Sequence, residues 1–245
     1  MTANFDFSGR VALVTGGVSG IGAATSKAFL NAGAHVIACG FTEAELAAAK
    51  ADAELGKAEV VALDVTDKAA VDALIAQQKQ LDFVVNSAGI IKRDLEHVPE
   101  EFDKVLDVHV SGSMCVSTAA RPLLKQSKGA IVMLGSVMSY FGGPKQPAYS
   151  SSKGALKNLT MSLACAYAED GIRVNGVAPG WVMTELSRGA RENKERHAQI
   201  MSRTPIGRWA EPVEIAEPIL FLCSDAARYM TGTMMPVDGG YTSVG

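Results

Sequence analysis

The chain has 245 residues, 48% of them hydrophobic and 20% charged, which allows one large α/β domain or two small ones around a buried core. Its net charge of −3 and the lack of any basic run argue against nucleic acid or an anionic membrane as partner. No apolar run approaches the roughly 18 residues of a membrane span. The start, MTANFDFSGR, lacks the apolar segment of a signal peptide, and Cys39, Cys115, Cys165 and Cys223 form no C-x-x-C pair. The expectation is a cytoplasmic protein without disulfides or bound metal.

RVALVTGG reads as a buried strand running into a glycine turn, and SGIGAATSKAFLNAGA as a helix that stops at Gly33. HVIACG and EVVALDV are short strands on either side of TEAELAAAKADAEL, a helix of high intrinsic propensity. DKAAVDALIAQQ is a helix, LDFVVNSAG a fourth strand and turn, and 99–125 one long helical region. GAIVMLGS gives a fifth strand, followed by a loop with Gly142, Gly143, Pro144 and Pro147 and a long helix over 149–170. IRVNGVAPG is a sixth strand, 181–205 is polar and irregular, EPVEIAEPILFLCS is helical, and TMMPVDGG supplies a seventh strand. Short, uniformly apolar strands alternating with helices mean a parallel sheet covered on both faces. The predicted fold is α/β: a single doubly wound, Rossmann-type domain with a seven-stranded parallel sheet. Segment 186–202 is either a mobile substrate lid or an ordinary surface insertion.

Two stretches call for a chemical reason. TGGVSGIG places Gly16, Gly20 and Gly22 between the first strand and the first helix. Glycines there let the backbone turn tightly beside the free N–H groups of a helix N-terminus, which suits a pyrophosphate. The spacing G-x-x-x-G-x-G differs from the G-x-G-x-x-G fingerprint. AYSSSKGAL puts Tyr149 one helical turn ahead of Lys153. Taken alone, that pair fits an exposed amphipathic helix start.

In order along the chain, TGGVSGIG, NSAG (86–89), Ser136 after the fifth strand, Tyr149 and Lys153 as Y-x-x-x-K, APG (178–180) and the late PVDGG resemble the short-chain dehydrogenase/reductase family. The resemblance spans nearly the whole chain. It implies an NAD(P)-dependent oxidoreductase that moves a hydride between nicotinamide and a secondary alcohol or ketone: a sugar derivative, polyol, hydroxy acid or cyclic ketone. Tyr149 would be the acid/base. Lys153 would lower its pKa and hold the nicotinamide ribose, and Ser136 would orient the substrate oxygen. The dinucleotide would lie against Gly16, Ser19, Gly20, Ile21 and Gly22 of the turn, then Gly40, Phe41, Asp64 and Val65 after the second and third strands. Asn86, Ala88 and Gly89, with Tyr149 and Lys153, would follow, and Pro179, Gly180, Val182 and Thr184 would close the site. Beside the motifs, Met138, Gln146, Trp181 and Met183 join Ser136 and Tyr149 as substrate-pocket candidates, with core or loop packing as the other reading. Family members commonly form homotetramers through two long helices, here 99–125 and 149–170.

Two positions depart from the family pattern. His109, in LDVHVSGSM, stands where an asparagine usually holds a relay water next to the lysine. An imidazole could hold that water and titrate near neutral pH, or it could simply pack in the helix. At the ribose end, Gly40 replaces the acid of NAD-preferring members, and neither Phe41 nor Ser19 is basic. A 2′-phosphate would miss a cation more than a 2′-hydroxyl misses an acid. NAD(H) is therefore favoured, NADP(H) remains possible, and Gly40→Asp is expected to strengthen the NAD preference. The same departures keep open an alternative, a dinucleotide-binding regulatory or structural homologue without turnover.

Overall fold

A computed structural model describes residues 5–244. Its strands are β1 (Val11–Thr15), β2 (His35–Gly40), β3 (Glu59–Ala62), β4 (Phe83–Asn86), β5 (Ala130–Leu134), β6 (Arg173–Pro179) and β7 (Met234–Val237). They form one sheet in the order β3-β2-β1-β4-β5-β6-β7, with every neighbouring pair parallel. The helices are α1 (Gly20–Asn31), α2 (Glu43–Ala51), α3 (Lys68–Ala76), α4 (Pro99–Leu106), α5 (Gly112–Ser127), α6 (Pro147–Tyr167), α7 (Arg188–Glu192), α8 (Lys194–Ser202) and α9 (Val213–Cys223).

Both faces of the sheet are buried, which explains why the strands read as unbroken apolar runs. Successive residues serve opposite cores. Val14, Val85 and Val132 join Phe29, Ile215 and Ile219 on one side. Leu13, Val84 and Ile131 join Leu124, Leu156 and Leu163 on the other.

The strand order reverses between β1 and β4, and ligands of such sheets bind outside the strand C-termini at that point. Thr15 staples it: its Oγ1 accepts from the N–H groups of Ser87 and Ala88 at 3.1 and 3.2 Å. Gly16 follows at φ +61°, and a Cβ there would stand 2.9 Å from the Ala88 backbone. The glycine turn and the NSAG turn therefore require each other.

Three segments differ from the expected pattern. Region 99–125 is two helices, α4 and α5, joined by a π-helical turn at Asp107–Ser111 that carries His109. The helix expected over 149–170 runs Pro147–Tyr167, starting at a proline whose missing N–H costs nothing in a first turn. Segment 181–205, expected to be irregular, contains α7 and α8, anchored because Ala190 and Ile200 pack on Trp209.

Candidate active site

The glycine turn forms a cradle at the N-terminus of α1. Ser19 caps the helix with extended backbone, but its hydroxyl makes no cap bond, and no acidic residue lies in the first turn. The first N–H groups and the positive end of the helix dipole are thus left for an anion. Gly20 sits at φ +52°, and a Cβ on Gly22 would fall 2.0 Å from the Gly16 carbonyl oxygen. Thr184 closes over Gly20 from the far side, with its Cγ2 3.4 Å from the point a Cβ on Gly20 would occupy. These features fit a dinucleotide whose phosphates touch backbone.

The cradle opens into a cleft of about 810 Å³, open mouth included. The loops after β4, β5 and β6 supply its walls, and Ser136, Tyr149 and Lys153 meet in it. Ser136 Oγ accepts from the Met138 N–H at 3.1 Å, leaving its hydroxyl proton free to donate. Lys153, only 5% exposed, donates from Nζ to the Leu134 carbonyl at 2.7 Å and lies 5.4 Å from the Tyr149 ring centroid. Burial lowers the Lys153 pKa to about 7. Burial also pushes the Tyr149 phenol up, while the Ser136 hydroxyl and the Arg93 charge pull it down. Tyr149 keeps part of its surface open to the cleft, where water weakens the upward push.

Of the two roles left open for His109, the structure favours packing: it borders the cleft beside Lys153, but its ring nitrogens are taken. Its Nε2 accepts the Ile90 N–H at 2.8 Å, so Nδ1 carries the proton and meets Ser152 Oγ at 2.9 Å. Ser152 in turn donates to the Tyr149 carbonyl at 2.8 Å. Both ring nitrogens are occupied by protein, so neither is left for the expected relay water. Burial, aided by the Lys153 charge, holds the His109 pKa well below its usual value, so it does not titrate near neutral pH. Gly89 is the companion residue, because a Cβ there would meet His109 Nε2 at 2.8 Å.

The family model described as enoyl-(acyl carrier protein) reductase, a short-chain dehydrogenase/reductase model, matches residues 16–242. A 2-dehydro-3-deoxy-D-gluconate 5-dehydrogenase of Pseudoalteromonas atlantica is 36% identical, over 98% of this chain and 99% of that one. A cis-4-hydroxycyclohexanecarboxylate dehydrogenase of Sinomonas cyclohexanicum is 40% identical, over 97% of this chain and 98% of that one. A crystal structure from Beutenbergia cavernae, assigned as an NAD(P)-dependent gluconate 5-dehydrogenase with NADP at low occupancy, superposes with TM-score 0.90. It is 37% identical and covers 98% of this chain and 100% of its own. The chain belongs to the short-chain dehydrogenase/reductase family. It is an NAD(P)-dependent oxidoreductase acting on CH–OH groups, and the non-catalytic alternative is not supported.

Within this short-chain dehydrogenase, the candidate residues fall into groups. Ile21, Gly89, Pro179, Gly180, Val182 and Thr184 line the cleft, as do Met138, Gln146 and Trp181. Met183 does not: its N–H bonds the Ala210 carbonyl, Val182 faces inward instead, and Met183 is exposed. Asn86 and Ala88 stand behind the lining. Asn86 Nδ2 donates to Ser117 in α5 at 3.1 Å, and Ala88 lies against Gly16. At the expected adenine end, Asp64 Oδ1 accepts from the Thr66 N–H at 2.9 Å, and Val65 is buried under Gly112. Phe41 is exposed, whereas Gly40 is enclosed: a Cβ there would meet Val18 Cγ2 at 2.5 Å. That removes the expectation for Gly40→Asp, since Val18 fills the space the acid needs.

Two residues near the reacting groups carry no signal in the sequence. Glu96 is 1% exposed, and its carboxylate accepts from the N–H of Lys92 at 2.9 Å and of Tyr149 at 2.8 Å. It sits at the N-terminus of α6, where the helix dipole favours an anion, and it fixes the backbone of Tyr149. Arg93 lines the cleft and bonds Gln146. The Glu96–Tyr149 and Arg93–Gln146 pairs are each 53 residues apart, so no local pattern marks them.

Proposed function

We propose that the enzyme interconverts a small secondary alcohol and its ketone, with Tyr149 as the proton-transferring group. The observation that carries this reading is the convergence of Ser136, Tyr149 and Lys153 in one cleft beside the glycine cradle. When bound, the nicotinamide supplies the hydride acceptor for oxidation or the donor for reduction. The Ser136 hydroxyl, with its oxygen held by the Met138 N–H, donates to the substrate oxygen and orients it. Tyr149 Oη takes the alcohol proton in oxidation and returns one in reduction. Lys153, when protonated, favours the phenolate by its charge, and its place beside Tyr149 suits a bond to the nicotinamide ribose. His109 and Ser152 hold the Tyr149 turn of α6 rather than relay protons.

The finer assignments are part of the same proposal. NAD(H) is the preferred cofactor, since no cation stands at Ser19, Gly40 or Phe41 and the Glu45 carboxylate caps the adjacent Thr42. Sugar acids, polyols and cyclic hydroxy acids are the substrate classes, following the relatives' named activities. The whole chain acts as one domain, with α7 and α8 as a lid over the cleft. Exposed Met114 on α5 and Met161 on α6 suit burial in a cytoplasmic homotetramer. The test is reduced-nicotinamide absorbance with NAD and NADP across a panel of these substrates. Turnover that is abolished in Tyr149→Phe supports the reading. Full turnover in that variant overturns it.

A further inference from the structure

We infer that Arg93 makes this cleft a reader of substrate carboxylates, so that the enzyme selects hydroxy acids over equally shaped neutral alcohols. The inference rests on the dehydrogenase reading above and narrows its substrate class. The cleft carries two cationic side chains, Arg93 and Lys153, and no acidic one among the described residues. Lys153 bonds the Leu134 carbonyl and, in the proposed mechanism, serves Tyr149 and the nicotinamide ribose. Arg93 is not similarly consumed. Its one protein hydrogen bond among the described residues runs from Nε to Gln146 Oε1 at 3.3 Å, which leaves both terminal nitrogens of the guanidinium unpartnered. Two parallel N–H donors on a planar fork match a carboxylate.

The arginine is also pre-positioned. Its loop is tied to the start of α6 by the Asp94 N–H on the Lys145 carbonyl at 2.8 Å, and by His97 Nε2 on the Pro144 carbonyl at 2.9 Å. Glu96 adds its bond to the Tyr149 N–H at 2.8 Å. Its partner Gln146 is buried and backed by Gly143, where a Cβ would collide with Gln146 Cγ at 2.8 Å. Arg93 makes no ion pair among the described residues: the Glu96 oxygens accept from the Lys92 and Tyr149 N–H groups, and Asp94 faces Lys145 at 3.5 Å. Arg93 and Tyr149 line the same cleft, so one small substrate can present its carboxylate to the first and its carbinol to the second. Holding a loop arginine in place before substrate arrives lowers the entropy lost on binding.

The experiment compares hydroxy acids with their uncharged primary amides, using 4-hydroxycyclohexanecarboxylate and gluconate as probes. The readout is the acid-to-amide ratio of kcat/KM in the parent, Arg93→Met and Arg93→Lys, with folding checked by thermal melting. The expected result is a parent ratio well above one that falls about 100-fold in Arg93→Met and recovers in part in Arg93→Lys. A ratio near one in the parent, or an unchanged ratio in Arg93→Met, overturns the inference. Turnover of the amides in the parent shows that the dehydrogenase reading survives such a failure. Stabilisation of the parent against melting by cyclohexanecarboxylate over cyclohexanecarboxamide, with NAD present, gives a second test that needs neither turnover nor a folded variant. Equal stabilisation by the two overturns the inference.

Discussion

Val18 occupies the space in which a side chain on Gly40 would stand, with Val18 Cγ2 only 2.5 Å from the Cβ position. The glycine turn thus removes the ribose-binding acid from the end of β2 by packing as well as by sequence. Gly40→Asp is expected to lower stability by about 1–3 kcal/mol through overpacking, without tightening NAD. Val18→Ala combined with Gly40→Asp should recover stability and raise the NAD-to-NADP ratio of kcat/KM. Chemical denaturation and cofactor kinetics on the three proteins check this, and a stable single variant with improved NAD use would contradict it.

His109 is expected to act as a packing and positioning group without titrating. His109→Leu leaves the Ile90 N–H and the Ser152 hydroxyl without their partner, a loss of about 1–3 kcal/mol for a buried unpaired donor. The variant should melt lower and turn over more slowly, yet its pH–rate profile should keep the parent's apparent pKa values. A profile that loses an ionisation near pH 6–7 would restore the proton-relay role.

Lys153 makes stability depend on pH. Its folded pKa is lowered to about 7 from 10.5, so between those values the unfolded chain binds the extra proton. Stability from this group therefore rises with pH across that window and falls as pH drops toward 7. Lys153→Met is expected to gain in Tm relative to the parent at pH 7, and the gain should shrink toward pH 10. Melting curves at both pH values decide it. A gain that grows with pH has the wrong sign for a buried ammonium.

The strands and the motif residues are legible in the sequence because both are local. Short strands of four to seven residues set β1 to β7, and the glycine turn, Tyr149 and Lys153 stand out once the ordered motifs reveal the resemblance to the family. What the sequence conceals is carried by contacts between distant segments. Nothing around Val18 says that it fills the Gly40 position, and nothing around Glu96 says that its carboxylate caps the helix bearing Tyr149. The π-helical turn at His109 reads as ordinary helix because its side-chain pattern is continuous with α4 and α5. Its position beside the APG motif suggests Met183 for the pocket, but its N–H pairs with the distant Ala210 carbonyl and its side chain is exposed, while Val182 lines the cleft.

Glu96 offers a test of that hidden support. Glu96→Gln keeps one acceptor but turns an amide NH₂ toward a backbone N–H. It is expected to lower kcat more than it raises KM, because Tyr149 is displaced while the Arg93 fork remains. Unchanged kcat in a folded Glu96→Gln protein would show that α6 holds Tyr149 unaided.

The most direct measurement is single-turnover oxidation by the parent and Tyr149→Phe, paired with calorimetric NAD affinity for each. Phenylalanine keeps the ring between His109 and Lys153 and removes only the proton-carrying oxygen. Turnover should fall roughly 10²–10⁴-fold with NAD affinity within about threefold of the parent. A Tyr149→Phe protein that oxidises substrate within about threefold of the parent rate would place the proton transfer on another group.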